Sequence, residues 1–297
     1  MLQLNFMRVP IILTEYQQQA LRRIVQKIVK AVEPDTIICF GVQVVSRTNW
    51  SCFALPAKQV TEDHLRFDLL LLTGDKNRRK QDDIRNIVRQ QGEVNIEINC
   101  VVHKWEIAYK IWGEGDAFFS TMFNQGLGVY RANPDRLVII PPEHHFTANT
   151  IFSDWNRFFP LAQNFLIAAE ESISRGFPAV TVFLLHQAVE QTCQALIRIC
   201  TGHRKNSHNL AYLLSFVSNF FVPIEKIFPN NTIEEKELFE ILLRGYGDPR
   251  YRDHYAVDLD KLPILVRRVK DMQSMAEAFF RLRFNAKTSA WALSYSA

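Results

Sequence analysis

The chain has 297 residues, of which 47% are hydrophobic and 22% charged, as in ordinary folded globular proteins. These proportions exclude a disordered chain, a collagen and a small disulfide-stabilised scaffold. The formal net charge of +4 is too small to indicate nucleic-acid binding by itself. At roughly 100 to 200 residues per domain, the length predicts two domains or a single large one.

The sequence carries no pattern typical of membrane insertion or secretion. No apolar run approaches the roughly 18 residues that a spanning helix needs, and the N-terminus lacks an apolar segment ending in a cleavage site. The five cysteines are odd in number and lie mostly in apolar stretches, which favours reduced thiols. We therefore expect a cytoplasmic protein without membrane contact. No metal site is expected, since no cysteine or histidine pair has zinc spacing.

The first half of the chain alternates between helical and strand patterns, with Pro34 and Gly92 ending the two helices. Short β-rich or alternating segments predict strands between and after these helices. The expected order is helix at 14–32, strands at 36–40 and 67–73, helix at 76–91 and strand at 94–102. Together these elements predict a small mixed α/β domain over residues 1–130.

Residues 131–152 contain three prolines among polar residues and predict an interdomain linker. Beyond the linker, apolar residues recur with helical spacing. Five helices are predicted, at 154–175, 178–201, 209–221, 233–246 and 259–284. They predict an antiparallel bundle over residues 153–285, followed by a tail at 286–297. The expected fold class is α+β, a small mixed α/β domain followed by an all-α up-and-down bundle.

Several segments of the helical half resemble the HEPN family, a helical bundle common in prokaryotic toxin and defence proteins. His186-Gln-Ala-Val-Glu190 resembles the end of the family's second-helix motif, and Thr201-Gly202 with His208-Asn-Leu210 resembles the loop and helix that follow. Arg250-Tyr251 resembles the turn before the final helix. The resemblance implies a HEPN bundle that forms a homodimer and binds nucleotides or RNA. Three pairs of adjacent phenylalanines, at 158–159, 220–221 and 279–280, agree with a dimer.

The N-terminal half resembles the minimal nucleotidyltransferase domain that often accompanies HEPN. The nucleotidyltransferase family has a Gly-Ser turn where this chain has Gly41-Val42, and an Asp-x-Asp motif where this chain has Arg66-Phe67-Asp68. The resemblance implies that an active domain would use ATP and Mg²⁺ held by three carboxylates. Only Asp68 and Glu97 remain here, and Arg66 would repel the metal. We expect a catalytically degenerate domain in which Gly41, Arg66 and Asp68 are candidate nucleotide contacts.

Many HEPN domains are ribonucleases with an Arg-x(4–6)-His motif, in which histidine and arginine act on the 2′-hydroxyl and the phosphate. Here Arg250 and His254 have three residues between them, and Arg244 and His254 have nine. Because neither spacing fits, we favour a binding module. The first alternative is a metal-independent ribonuclease restrained by the N-terminal domain, with Arg250 on the phosphate and His254 as acid or base. The second is an active nucleotidyltransferase that uses Asp68 and Glu97.

Basic residues of two loops predict a cationic face for RNA or nucleotide phosphates: Arg204 and Lys205 in one, Arg250 and Arg252 in the other. Tyr255 resembles a tyrosine that is nucleotidylated in related toxin pairs and is a candidate modification site. No recognition of a DNA sequence is expected.

The same residues also have purely structural interpretations. Arg250 and Arg252 suit a solvated ion-paired turn. His186, in an otherwise apolar helix, suits a buried ring bonded to a carbonyl. Gln187 and Glu190 beside it would then form a polar seam inside the bundle.

Overall fold

The computed structural model of the protein describes residues 13–49, 60–133, 148–203, 207–221 and 224–294. The chain divides into two compact units, Met1–His145 and Phe146–Ala297. None of the helices within these described ranges is long and apolar enough to cross a membrane.

The first unit is a four-stranded sheet with helices on it. Its elements in chain order are α1 (Glu15–Val32), β1 (Thr36–Asn49), β2 (Val60–Thr73), α2 (Gln81–Arg89), β3 (Ile96–Lys104), α3 (Trp105–Gly113), α4 (Ala117–Gln125) and β4 (Leu127–Arg131). The order of the strands across the sheet is β3-β2-β1-β4, with β1 antiparallel to β2 and β4, and β2 parallel to β3.

Alternation along the central strands sorts side chains onto two faces of the sheet. On one face, Phe67 and Leu69 of β2 join Ile24 and Ile28 of α1 and Ile84 of α2 in a buried apolar cluster. The intervening positions of β2 and β3 point to the opposite face. The polar residues Arg66, Asp68, Glu97 and Asn99 occupy those positions.

The predicted helices and strands of this half are all present, with changed bounds and three additions. Strands β1 and β2 extend well beyond the apolar segments from which they were predicted, because the two strands stay paired as an antiparallel ribbon out to Asn49 and Val60. Helices α3 and α4 and strand β4 were not predicted. They are short, and their apolar residues are dense and aromatic, so neither strand nor helix periodicity stands out.

Every helix or strand described in the second unit is a helix, which confirms the predicted fold class. Its elements are α5 (Ala148–Ser174), α6 (Pro178–Thr201), α7 (Leu210–Val217), α8 (Ile224–Ile227), α9 (Ile233–Arg244), α10 (Asp248–Tyr251) and α11 (Lys261–Ser294). Helix α6 lies at the centre and contacts α5, α7, α9, α10 and α11. Most of its side chains are therefore buried.

Two helices extend beyond the residues over which the sequence predicted them. Helix α5 begins at Ala148, inside the predicted linker, because no proline follows that point until Pro160, which the helix contains. Helix α11 continues to Ser294 through the predicted tail, where no glycine or proline interrupts the chain. Residues 134–147, which carry the three prolines of the predicted linker, lie outside the described residues.

One member of each phenylalanine pair is buried and the other is half-buried. Phe159, Phe221 and Phe280 are the buried members. Phe158 is covered by the guanidinium of Arg198, whose Cζ lies 4.2 Å from the ring centroid. The bundle therefore uses one ring of each pair as core, and Phe158 packs within its own chain.

Candidate functional site

The carboxylate of Asp68 is fully buried on β2. Arg66 Nε donates to Asp68 Oδ2 at 3.3 Å, and Asn99 Nδ2 of the neighbouring β3 donates to Oδ1 at 3.2 Å. Gly41, at an irregularity in β1, is the residue opposite Asp68 on the other side. The structure thus brings Gly41, Arg66 and Asp68 together, but it turns Arg66 inward, with only 12% of its side chain exposed.

This surrounding does not fit a magnesium ion. Magnesium requires oxygen ligands, whereas both oxygens of Asp68 accept hydrogen bonds from a guanidinium and an amide nitrogen. Glu97 is exposed and lies opposite Arg66, not opposite Asp68. Among the residues that the structure describes, no group of three or more histidines, cysteines or carboxylates could hold a metal.

A second polar cluster lies on helix α6. His186 is fully buried, and its Nδ1 lies 2.9 Å from the carbonyl oxygen of Leu242 on α9. Because a carbonyl only accepts, Nδ1 carries the proton and donates it. Burial lowers the pKa of His186 below its usual value. The predicted buried histidine bonded to a carbonyl is confirmed.

Glu190, one turn along α6, is buried at 4% exposure. Gln187 Nε2 donates to Glu190 Oε2 at 3.3 Å, which confirms the predicted polar seam. His208 Nδ1 lies 3.1 Å from both carboxylate oxygens. The second nitrogen of His186, Nε2, lies 3.7 Å from Oε2, too far for a hydrogen bond. The buried carboxylate therefore has one histidine in hydrogen-bond contact and another close by.

His208 reaches Glu190 from the chain segment just before α7. The segment is fixed by Asn209, whose side chain accepts a hydrogen bond from the backbone N–H of Tyr212 and caps that helix. The side chain of His208 is 59% exposed. Since Nδ1 faces the carboxylate, Nε2 points away from it. The imidazole ring is parallel to the ring of Tyr246, with centroids 4.4 Å apart and an interplanar angle of 7°.

Tyr246 lies at the corner between α9 and α10 and also contacts Arg250. The guanidinium carbon of Arg250 is 3.9 Å from the centroid of the Tyr246 ring and 4.8 Å from that of Tyr251. It lies 5.3 Å from Phe183 of α6. Arg250 Nε donates to the Tyr246 carbonyl at 2.6 Å. An exposed cation is thus held in place by three aromatic rings and one hydrogen bond.

Gly245 allows this corner to approach α6. A Cβ atom at Gly245 would lie 2.9 Å from both His186 Cβ and the carbonyl oxygen of Val182. Any larger residue would push the corner away from α6. The position of Tyr246 beside His208 therefore depends on the lack of a side chain at Gly245.

The remaining predicted residues do not join this cluster. His254 is exposed, has a left-handed backbone with φ of 58°, and has no hydrogen bond or ion pair within the described part of the chain. Arg252 forms an ion pair with Asp248 at 3.1 Å, as the structural interpretation predicted. Burial raises the pKa of the half-buried Tyr255, Asp248 raises it further and Arg252 opposes the shift. Arg204 and Lys205 lie outside the described residues.

Sequence reasoning missed His208, Glu190 and Tyr246 as members of one site. One signal was present: a single carboxylate in an apolar helix needs a polar partner, and His208 was part of the HEPN resemblance. The partner could not be chosen from the sequence, because Glu190 and His208 meet only through the packing of α6 against the start of α7.

Comparison with known proteins identifies the helical part of the chain. Residues 156–282 match the family model described as HEPN domain, which confirms the predicted resemblance of this half. HEPN domains have functions related to nucleotides or RNA, often in toxin or defence proteins, and they commonly dimerise. The search of curated proteins returned no match to the chain.

Proposed function

We propose that the HEPN domain of this protein binds single-stranded RNA on the surface formed by His208, Tyr246, Arg250 and Tyr251, named here the Tyr246 surface. The observation that carries the proposal is the guanidinium of Arg250, which is exposed yet held over Tyr246 at 3.9 Å. A cation that is fixed in place loses little side-chain entropy when it binds a phosphate. Its planar fork matches two phosphate oxygens.

Exposed aromatic area beside that cation supports RNA over a simple anion. The side chain of Tyr251 is 77% exposed and lies 4.8 Å from the Arg250 guanidinium. Unstacked RNA bases bind on such rings, and the stacking tolerates many sequences. In the proposed complex, Arg250 binds a phosphate of the RNA strand, and the base next to that phosphate stacks on Tyr251. This agrees with the small net charge, because binding here needs one local patch and not a basic protein.

Other features of the proposal concern the whole chain. The protein acts as a cytoplasmic interaction protein of a toxin–antitoxin or defence system and forms a homodimer through the HEPN bundle. Exposed apolar residues near the α5–α6 turn, Ile167, Phe177 and Val180, supply area for such a contact. The N-terminal unit is a pseudo-nucleotidyltransferase that does not use Mg²⁺ and ATP, since Arg66 and Asn99 take up the carboxylate of Asp68.

The test is fluorescence anisotropy of a labelled single-stranded RNA with the full chain in EDTA. We expect Arg250→Ala to weaken binding about tenfold, the loss of one charge-assisted contact. The slope of affinity against salt concentration should fall by about 0.7, the value for one phosphate contact on a single strand. Arg250→Lys should recover only part of the affinity, because an ammonium lacks the planar fork.

The matched control is Arg244→Ala. Arg244 is an exposed arginine of α9 that forms an ion pair with Glu240 at 3.0 Å, so this variant loses the same charge a short distance away. Its affinity should stay within about twofold of the wild type. An equal loss in both variants would show that only net charge matters, and an affinity unchanged by Arg250→Ala would refute the proposal.

A further inference from the structure

A groove in the first unit runs between helix α1 and strand β4, and its volume is about 1090 Å³. On the helix side it is lined by Leu21, Val25 and Val29, which recur every fourth residue along α1. On the strand side it is lined by Leu127 and Val129. Apolar side chains of two elements thus face a space wide enough for a ligand.

The strand side of this groove is an edge of the sheet. Strand β4 is last in the order β3-β2-β1-β4 and pairs with β1. Within the described residues, no strand pairs with its other side. In an antiparallel pair, every second residue turns its backbone N–H and C=O away from the partner strand. An edge strand can therefore pair with a further chain, and a strand added to β4 would lie in the groove beside α1.

Two cations at the groove have no partner in the described part of the chain. Arg22 and Lys30 of α1 are exposed and line the groove, and neither forms an ion pair there. The basic residues between them are already neutralised, because Arg23 and Lys27 bind Glu93 at 3.2 and 2.8 Å. No acidic residue of the described chain lines the groove. Its charge therefore complements a ligand that carries carboxylates on an apolar frame.

The spacing of the two cations matches that of an extended strand. Arg22 and Lys30 are eight positions apart in α1, which is about 12 Å along a helix. Residues four apart on a strand are separated by about 13 Å and point to the same face. Carboxylates at two such positions of an added strand would meet both cations. The side chain midway between them would face the apolar row at Val25 and Val29.

We infer that the groove between α1 and β4 binds an acidic segment of another protein as an added strand. The segment has carboxylates at two positions four apart and an apolar residue midway between them. A second copy of this chain is the wrong occupant, because pairing two β4 strands would bring the same cations together. Residues 1–12 contain Arg8 and no acidic residue, so they do not supply the complementary charge either.

The experiment measures fluorescence anisotropy of a labelled peptide with the full chain. The peptide has threonine at every second position and, on the other face, one isoleucine between two glutamates. We expect binding that weakens as salt is added. Arg22→Ala and Lys30→Ala should each raise Kd about threefold, the usual effect of one exposed ion pair. The double variant should raise it about tenfold.

The matched control is Arg23→Ala, which removes the neighbouring arginine of the same helix. Its partner is Glu93, so the variant loses an equal charge without losing a groove contact. Its Kd should stay within about 1.5-fold of the wild type at about 0.15 M salt, where distant charges are screened. A peptide with lysines in place of the glutamates should bind at least about tenfold more weakly.

Two further peptides test whether the ligand binds as a strand. The backbone groups of alternate residues point to opposite sides of a strand. Methylation of one alternate set of amide nitrogens should therefore abolish binding, whereas methylation of the other set should be tolerated. Hydrogen exchange in the peptides that cover 127–131 should slow when the unmethylated ligand is added.

Each outcome supports or overturns the inference, and none bears on RNA binding by the second unit. Equal losses in Arg22→Ala and Arg23→Ala would overturn it, since only net charge would then matter. Tolerance of both methylated sets, or unchanged exchange in β4, would also overturn it. Slow exchange in β4 before any peptide is added, together with failure of the peptide to bind, would show that the chain itself covers this edge.

Discussion

Each unit of the molecule buries a carboxylate, but the two carboxylates differ in their partners. Asp68 accepts from Arg66, which is 12% exposed, and from Asn99 in the next strand. Glu190 accepts from Gln187 within the bundle and contacts His208, whose side chain is 59% exposed. The first group is enclosed by the sheet. The second is connected to solvent through an ionisable ring.

The difference teaches that a buried acid by itself says little about function. A buried charge is costly unless it is paired, and in the sheet Asp68 is paired with the largely buried guanidinium of Arg66. Glu190 is paired with the imidazole of His208, whose side chain is 59% exposed. The partner, and not the carboxylate, decides whether the site is structural or able to do chemistry.

The largest effect is expected from breaking the buried ion pair between Arg66 and Asp68. Arg66→Ala leaves the carboxylate of Asp68 buried without its cation, although Asn99 still donates to it, and should lower the free energy of unfolding of the first unit by about 3 kcal/mol. The measurement is the urea dependence of hydrogen exchange in β2 peptides.

The corresponding change in the second unit is the control for this comparison. His208→Ala removes the exposed partner of Glu190, whose carboxylate then gains access to water. The free energy of unfolding measured by hydrogen exchange in α6 peptides should fall by less than about 1 kcal/mol. Equal losses in the two variants would contradict the distinction between an enclosed and an open carboxylate.

The next effect concerns the corner that carries Tyr246. Gly245→Ala places a methyl group 2.9 Å from His186 Cβ and from the Val182 carbonyl, and should destabilise the bundle by about 2 kcal/mol. Gly247→Ala is the matched control, because a Cβ there meets nothing within 4 Å, and its unfolding free energy should change by under about 0.5 kcal/mol. Thermal unfolding of both variants measures the contrast, and similar midpoints would be evidence against the close packing of α9 on α6.

The smallest effect is a dependence of stability on pH. Burial lowers the pKa of His186 from the ordinary value of 6.5, so the unfolded chain binds a proton there before the folded chain does. The free energy of unfolding should therefore fall as the pH drops below 6.5, by at most about 1.4 kcal/mol per pH unit from this one group.

The test compares His186→Asn with the wild type by urea denaturation at about pH 7.5 and about pH 5.5, on either side of the histidine titration. The amide nitrogen of asparagine can still donate to the Leu242 carbonyl but does not titrate. The difference in stability between the two pH values should shrink in the variant. A variant with the same pH dependence as the wild type would assign that dependence to other groups.

Local patterns predicted the fold class because they follow from periodicity and from helix ends. Helix α6 has buried residues on nearly all sides and ends at Gly202 in a left-handed conformation, so its bounds could be predicted from apolar content and one glycine. The outer halves of β1 and β2 could not be predicted in this way, since it is their pairing with each other that continues to Asn49 and Val60. Pairing between strands supplies their stability, and single-strand patterns do not report it.

The candidate site was harder to predict because its members are distant in sequence. The substituted Asp-x-Asp motif did predict that Arg66 would act on Asp68 and oppose a metal there, and the two side chains meet because residues two apart on a strand share a face. His208 and Glu190 have no such local relation, and Tyr246 reaches them only because Gly245 lets the corner pack closely on α6. The motif-based choice of His254 followed spacing along the chain, whereas the contacts follow tertiary packing.

The order of these residues along the chain has a consequence during synthesis on the ribosome. Glu190 and His208 emerge first, and the helix that supplies Leu242, Gly245 and Tyr246 emerges later, with Arg250 last of all. Because domains generally form as units as the chain is made, the Tyr246 surface is assembled only after the α9–α10 corner has left the exit tunnel and packed on α6. A nascent chain that carries Glu190 and His208 still lacks Arg250, so the surface proposed to bind RNA is incomplete until that corner has been made.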